Sequence, residues 1–333
     1  MKVFVTGGSG FLGKQLLLRL REGNYKVSAL ARSSNSSKVV KELGATAIAG
    51  DLSEIENWES CLSNVDVVIH CAAPVEFWGP WEKFEKEIVE ATSALAKAAS
   101  RQGVKRFIYI SSESVLQDKD PLLDIAESHP YPKTPNSHYG KAKMLAEKVL
   151  QSLNLPLEII ILRPTFIWGP GSSAIETIRD KAAAGQFLWI DQGHAEFEAV
   201  HVDNVVASIL CALTNGQDKE VYFVTDHERT SVRQFFEDLF RAINVPLPTK
   251  SLPAPVAKVA ASVVESIWRI AKLKGNPPLS RFELSFVMMP RRYSTLKAQS
   301  ELKYNPVVSR KTGLESLRRQ LGKSLSLFSG LTQ

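Results

Sequence analysis

Thr6-Gly7-Gly8-Ser9-Gly10-Phe11-Leu12-Gly13 lies between two stretches of different periodicity. Before it, Lys2–Thr6 is a short apolar run of the kind that forms a buried strand. After it, Phe11–Glu22 carries Leu12, Leu16, Leu17 and Leu20 at helical spacing, and Gly23-Asn24 supplies a stop. Strand, glycine turn and helix in that order have a mechanical reading. Gly7 allows a tight turn, Gly10 lets the backbone come close to a pyrophosphate, and Gly13 lets the helix pack on the sheet. The helix start then offers free N–H groups and a positive dipole end to phosphates, with Phe11 and Leu12 in its first turn.

Working outward, apolar runs recur at residues 26–30, 45–49, 65–70, 106–111 and 157–163, and again at Val221–Val224. Helical stretches over 81–101 and 138–153 separate several of them. Strands apolar on both faces and alternating with helices predict a parallel sheet covered on both sides. The fold class is therefore α/β, a Rossmann-type doubly wound parallel sheet. Beyond residue 163 loops, prolines and isolated helices take over, including the apolar stretch 255–273. We expect residues 1–165 to form a dinucleotide-binding domain, with a return of the chain to it near 198–226. Residues 166–330 supply most of a smaller, mainly helical substrate part.

The bulk properties bound the function. With 44% hydrophobic and 23% charged residues, the 333-residue chain has ordinary globular usage. The net charge of +6 is spread along the chain without a dense basic run, which argues against nucleic acid as a partner. Cys61, Cys71 and Cys211 are far apart and show no CxxC spacing, so they read as reduced thiols of a cytoplasmic protein. A strand pattern begins straight after Met1, so no signal peptide is expected, and no run reaches the ~18 apolar residues of a spanning helix. His129, His138, His194, His201 and His227 follow no metal-ligand spacing and read as surface or loop residues, so no metal is expected.

Cofactor choice turns on the end of the second strand, where an acidic residue would accept from a ribose 2′-hydroxyl. Here the chain reads Leu30-Ala31-Arg32-Ser33-Ser34. Arg32 suits a 2′-phosphate, with Ser33 or Ser34 adding hydrogen bonds, so NADP is the preferred expectation over NAD. Asp51 and Leu52, after the third strand, are placed to meet the adenine. Tyr139 and Lys143, four apart on a helix, share one face. A free phenol titrates near ~10, and a nearby ammonium favours its phenolate, which equips the pair for acid–base work. Ser112, at the end of the fifth strand, is the candidate to hydrogen-bond a substrate oxygen, with Ser114 as a second polar contact.

These segments together resemble an extended short-chain dehydrogenase/reductase, of the NAD-dependent epimerase/dehydratase superfamily. The resemblance runs through residues 6–13, Gly50-Asp51-Leu52, His70-Cys71-Ala72-Ala73, 109–115, 139–148, 162–171 and 200–205. Trp78-Gly79, Leu162-Arg163-Pro164-Thr165-Phe166-Ile167-Trp168-Gly169-Pro170-Gly171, Pro277-Pro278-Leu279-Ser280-Arg281-Phe282 and Tyr293-Ser294 are closest to the 3β-hydroxysteroid dehydrogenase/isomerase branch. That branch includes sterol-4α-carboxylate dehydrogenases and 2-alkyl-3-oxoalkanoate reductases. The resemblance implies Tyr139 as acid–base, Lys143 as its activator and Ser112 as the oxygen donor. It also implies Ala72 and Pro164 beside the cofactor, and a homodimer through the fourth and fifth helices. It implies a structural tie at His201-Val202-Asp203-Asn204. Two departures stand out: Ile88 where the family has asparagine, and Lys303 where it has glycine.

A hydrophobic substrate, 3β-hydroxysteroid or 3-oxoacyl in type, follows from the branch. Phe282, Phe286, Met288 and Met289 are candidates for an apolar pocket. The stretch 255–273 reads as a packed amphipathic helix, a lid, or a peripheral membrane contact. The rival readings are a nucleotide-sugar epimerase or dehydratase, with Arg281, Arg291 and Arg292 for a second diphosphate, and a non-catalytic NADP(H)-binding regulator.

Overall fold

The computed structural model describes residues 1–74, 77–133 and 135–329, with 321–329 as backbone alone. Its first half alternates as the apolar runs require: β1 (Lys2–Thr6), α1 (Phe11–Glu22), β2 (Lys26–Ala31), α2 (Ser34–Glu42), β3 (Thr46–Ala49) and β4 (Val67–His70). Then come α3 (Trp81–Phe84), α4 (Ala91–Arg101), β5 (Arg106–Ile110), β6 (Leu122–Ile125), α5 (His138–Ser152), β7 (Glu158–Pro164) and β8 (Phe166–Trp168). The remainder is α6 (Ser173–Ala183), β9 (Trp189–Ile190), β10 (Glu196–Phe197), β11 (Ala199–His201), α7 (Val202–Ala212), β12 (Val221–Val224) and β13 (Thr230–Ser231). It ends with α8 (Val232–Ala242), β14 (Ser251–Leu252), α9 (Ala254–Ile270), α10 (Arg281–Met288), β15 (Arg291–Tyr293) and α11 (Arg310–Ser329).

Seven strands form one parallel sheet in the order β12-β7-β5-β4-β1-β2-β3. Side-chain alternation divides its two faces. Val3, Val5, Ile69 and Ile108 enter one core with Leu16, Leu17 and Leu20 of α1 and Val205 and Ile209 of α7. Phe4, Val68, Phe107 and Tyr109 enter the opposite core with Leu95 of α4 and Ala142, Ala146 and Leu150 of α5. A chain that leaves β1 toward β2 on one side and returns to β4 on the other opens a crevice at the carboxyl ends of β1 and β4. The glycine turn stands at that crevice.

The helix expected over 81–101 is continuous but carries a π-helical turn over Glu85–Glu90 between α3 and α4. Phe84, Ile88 and Thr92 are all buried at four-residue intervals. On an ideal helix each such step drifts by about 40°, and the wider π turn takes up the drift. The strand pairs β15–β6, β11–β8 and β14–β9 were not legible as periodic runs; each fastens part of the second half onto a loop that follows a main-sheet strand or onto its own neighbours.

The expected tie at residues 201–204 is a hydrogen-bond hub centred on Asn204 and Asp226. Asn204 donates to Asp226 Oδ1 at 2.6 Å and to the Val308 carbonyl at 2.7 Å, and its own oxygen accepts from the Val307 and Val308 amides. Asp226 also accepts from the His201 amide at 2.7 Å and from Trp168 Nε1 at 2.9 Å. Three distant segments are thereby held at one point. His201 is buried there, with its ring against Trp168, so its reading as a surface or loop histidine is corrected.

Candidate active site

The first wall of the site is the glycine turn. Gly7 has φ +73°, and a Cβ there would lie 2.8 Å from the Ala72 amide nitrogen, so the turn sits directly on the end of β4. At Gly13 a Cβ would fall 2.1 Å from the Gly7 carbonyl oxygen. At Gly10 it would meet only that oxygen, at 3.2 Å, which leaves the other side of the turn open. Gly10 caps α1 without any side-chain hydrogen bond, and the first turn holds no acidic residue. Free N–H groups, a dipole end and an open cradle suit a pyrophosphate. Phe11 and Leu12 occupy that first turn, half-buried.

Thr6 fixes the turn from below. Its Oγ1 lies 2.6 Å from His70 Nδ1 and accepts from the Ala72 amide at 3.3 Å. His70 Nε2 meets Thr92 Oγ1 at 3.1 Å, and burial pushes the imidazole down to about 3, so it stays neutral. Arg32 is exposed at the end of β2, where no carboxylate follows. Ser33 is engaged elsewhere: its hydroxyl caps α2 by accepting from the Ser36 amide at 3.1 Å, with Ser36 bonding back. Asp51 accepts from Ser53 N and Oγ, which lowers its pKa, with Arg32 a smaller contributor. Leu52 packs at the edge of the core beneath it.

The second wall is built on β5 and α5. Ser112 follows β5, and its Oγ accepts from the Ser114 amide at 3.2 Å. Ser137 caps α5 by accepting from the Gly140 amide at 3.0 Å, which starts the helix at His138 and puts Tyr139 in its first turn. Gly140 is needed for that approach, because a Cβ would come 2.5 Å from the Ser114 carbonyl oxygen. Tyr139 is consequently brought near Ser112. Burial pushes the phenol up to about 12, with Ser112 partly opposing it. Lys143, one turn on, is buried; its Nζ donates to the Ile110 carbonyl at 2.7 Å and lies 5.9 Å from the centre of the Tyr139 ring. Burial lowers its ammonium to about 8. Ser112, Tyr139 and Lys143 are therefore brought together at the carboxyl end of the sheet.

Pro164 ends β7 beside Val224, buried, and the next residue, Thr165, has a buried hydroxyl without a protein partner. The Ser111 and Ser114 hydroxyls are also buried and unpartnered. Such unpaired donors and acceptors at the mouth of the sheet suit a polar, hydrogen-bonding cofactor. Ile88 is buried in the α4–α5 core where the resemblance calls for an asparagine, so that position gives this site no carboxamide.

A third wall joins Phe77, which the sequence did not single out, to two of the apolar-pocket candidates. Phe77 meets the Tyr139 ring edge-on at 5.2 Å, and Phe282 lies 5.2 Å from Phe77. Phe286 continues the row, 6.1 Å from Phe282 and 5.8 Å from Phe166. His138 holds the loop that carries Phe77, its Nδ1 3.1 Å from the Gly79 carbonyl. Of the apolar candidates from the second half, Phe282 and Phe286 thus stand in one aromatic row with Tyr139.

The arginines offered for a second diphosphate each already face a carboxylate. Arg281 pairs with Glu265 at 2.6 Å, Arg291 is buried beside Glu113, and Arg292 is held by Asp124 and Glu196. Among the described residues no group of three His, Cys, Asp or Glu side chains is arranged to hold a metal ion.

Residues 3–225 match the model of the NAD dependent epimerase/dehydratase family. The chain is 34% identical over 325 residues to the 4-hydroxy-2-methyl-3-oxo-4-farnesyl-3,4-dihydroquinoline-1-oxide ketoreductase of Stigmatella aurantiaca, covering 96% of each chain. It is 30% identical to the decarboxylating sterol-4-alpha-carboxylate 3-dehydrogenase of Dictyostelium discoideum, covering 95% of this chain and 99% of that one. Among solved structures, gox2253 superimposes with a TM-score of 0.79 at 27% identity, over 97% of this chain and 98% of that one.

Proposed function

The chain belongs to the NAD dependent epimerase/dehydratase family, and from that membership we propose that it is an oxidoreductase acting on a hydroxyl or keto carbon of a hydrophobic substrate. The observation that carries this reading is the place of Tyr139, between the fixed Lys143 ammonium on one side and the aromatic row of Phe77, Phe282 and Phe286 on the other, with Ser112 close by. A proton donor and a hydrogen-bonding hydroxyl face an apolar surface, which is what a lipid-like ketone needs.

Ser112 and Tyr139 hold the substrate oxygen, and Tyr139 Oη donates the proton to it in reduction. A phenol whose pKa is pushed up to about 12 carries that proton throughout the neutral range. Lys143, fixed by the Ile110 carbonyl, keeps a positive charge behind the phenol and is placed for a ribose hydroxyl. A nicotinamide held here would supply or accept the hydride. Gly7, Gly10, Phe11, Leu12 and Gly13 cradle the pyrophosphate, Asp51 and Leu52 border the adenine, and Ala72 and Pro164 flank the ribose–nicotinamide end. The finer preference for NADP(H) rests on exposed Arg32 and on the lack of a carboxylate where β2 ends.

Residues 1–165, with the return near 198–226, act as the cofactor half, and 166–330 mainly as the substrate half. The relatives named as a ketoreductase of a farnesylated quinoline oxide and a sterol dehydrogenase support a 3β-hydroxysteroid or 3-oxoacyl type of substrate. The nucleotide-sugar reading loses ground because Arg281, Arg291 and Arg292 already face carboxylates. A cytoplasmic site fits three thiols that are all free. The homodimer through the fourth and fifth helices, α4 and α5, is read by sedimentation velocity.

The test is loss of reduced-nicotinamide absorbance with NADPH or NADH against 3-ketosteroids, 2-alkyl-3-oxo acids and UDP-sugars. Oxidation of NADPH with a lipid ketone supports the reading. Conversion of a UDP-sugar alone, which is redox-neutral and is read by chromatography of the sugar nucleotide, overturns the substrate class, and cofactor binding with conversion of none of the panel favours a non-catalytic regulator.

A further inference from the structure

Helix α9 presents two unlike faces. Ala257, Ala261 and Glu265 are buried, packed toward Leu284 of α10 and Ile190. On the other face Val256, Val259, Val263, Ile267 and Ile270 recur at three- and four-residue steps, and all are at least half exposed, Val259 at 67% and Ile270 at 83%. One apolar stripe runs the length of the helix with none of the described residues covering it.

Charge and hydrogen bonding show what suits that stripe. The segment 254–274 contains Lys258, Arg269, Lys272 and Lys274, all exposed, and a single carboxylate, Glu265. Glu265 faces inward and is paired with Arg281, so the exposed surface of the segment is cationic. Lys258 and Arg269, eleven residues apart, share one flank of the stripe. Between stripe and flank stand Ser262 and Ser266. Their hydroxyls donate back to the Lys258 and Ser262 carbonyls at 2.8 and 2.7 Å, so neither needs water. An apolar face with internally satisfied hydroxyls and a cationic border matches the boundary between lipid headgroups and acyl chains.

We infer that α9 docks this protein on an anionic lipid surface, with Val259, Val263, Ile267 and Ile270 entering the acyl boundary and Lys258 and Arg269 meeting lipid phosphates. A second copy of the chain is a poorer occupant. Two stripes meeting face to face would also bring their cationic flanks together, with no exposed carboxylate of the segment to offset them. The helix on which α9 packs, α10, carries Phe282 and Phe286 of the aromatic row beside Tyr139. A docked α9 therefore sets that row close to a lipid surface. The inference stands on the exposed face alone and does not need the reductase reading.

Co-sedimentation of the full chain with vesicles tests it. Phosphatidylcholine vesicles are compared with vesicles in which about a third of the lipid is phosphatidylglycerol. The wild type is expected to pellet with the anionic vesicles. Val263→Asp with Ile267→Asp should weaken that binding by more than about tenfold, since two inserted side chains become charged. Lys258→Glu with Arg269→Glu should remove the preference for anionic lipid. Leu296→Asp, at a position 72% exposed on another segment, is the control and should bind as wild type. All these positions are at the surface, and circular dichroism melts confirm that each variant is folded. No binding of the wild type to anionic vesicles, or equal binding by the Val263/Ile267 variant, overturns the inference. So does a wild-type oligomer that this variant dissociates in sedimentation velocity without any vesicle binding.

Discussion

Alanine placed at two glycines of the same turn should separate cofactor binding from folding. At Gly10 the new methyl meets only the Gly7 carbonyl oxygen, at 3.2 Å, and the backbone φ of −77° is ordinary for alanine. Folding should barely notice, with a change in melting temperature within about 2 °C. The methyl does crowd the turn beside the Gly7 carbonyl, next to where phosphate oxygens would take the amides of α1. Losing one or two charge-assisted hydrogen bonds costs about 2–4 kcal/mol, or ~30- to 1000-fold in Kd. At Gly13 the methyl would sit 2.1 Å from the Gly7 carbonyl oxygen and 2.7 Å from Gly8 Cα, both backbone atoms. Helix and turn must separate, at about 3 kcal/mol or more of stability, and the cofactor site goes with them. Fluorescence titration of NADPH and NADH, with calorimetric melts of both variants, reads the two effects apart. A Gly10→Ala protein that binds cofactor like wild type would refute the placement of the pyrophosphate. A Gly13→Ala protein with an unchanged melt would refute the packing argument.

Three further outcomes follow from buried or strained groups. Lys143 is lowered to about 8 by burial, so its ammonium prevails below that pH and is lost above it. Ketone reduction should therefore fall as pH rises through about 8, and Lys143→Arg should move that limb upward; a limb unmoved by the substitution assigns it to another group. Arg163 and Glu147 form a buried bidentate pair at 2.6–3.2 Å. Arg163→Met strands the carboxylate and should cost ~3–5 kcal/mol, or ~4–7 °C in Tm for a chain of this length, with much of it regained in Arg163→Met/Glu147→Met. Lys303 holds φ +61°, left-handed for a residue with a Cβ, so Lys303→Gly should raise stability by ~0.5–1 kcal/mol in chemical denaturation.

The main sheet was legible because each of its strands is an apolar run bounded by breakers, and Leu12 to Leu20 repeat with helical period. The glycine turn and the Tyr139–Lys143 pair were legible for a similar reason, since local spacing alone puts the glycines between strand and helix and the two side chains on one helix face. Contacts between distant residues carry no such period. Nothing near Phe77 announces its edge-on contact with Tyr139, 62 positions later in a row that also takes in Phe282. Arg281, Arg291 and Arg292 look free in the sequence because Glu265, Glu113, Asp124 and Glu196 reach them only through folding. The π turn was hidden for a subtler reason: Phe84, Ile88 and Thr92 fit a helix well enough one step at a time, and only the sum of the steps calls for a wider turn. The Ser33 cap was local, and the Ser36 three residues on was the signal for it.

In the proposed reaction Tyr139 is the group that moves the proton. Tyr139→Phe removes one oxygen and keeps the ring that packs against Phe77, so fold and cofactor binding should survive. With NADPH and a lipid ketone from the panel, the variant should bind cofactor within about twofold of wild type while turnover falls by ~10²-fold or more. Turnover near the wild-type rate, with cofactor binding intact, would contradict the central claim and pass the proton to another group at the site.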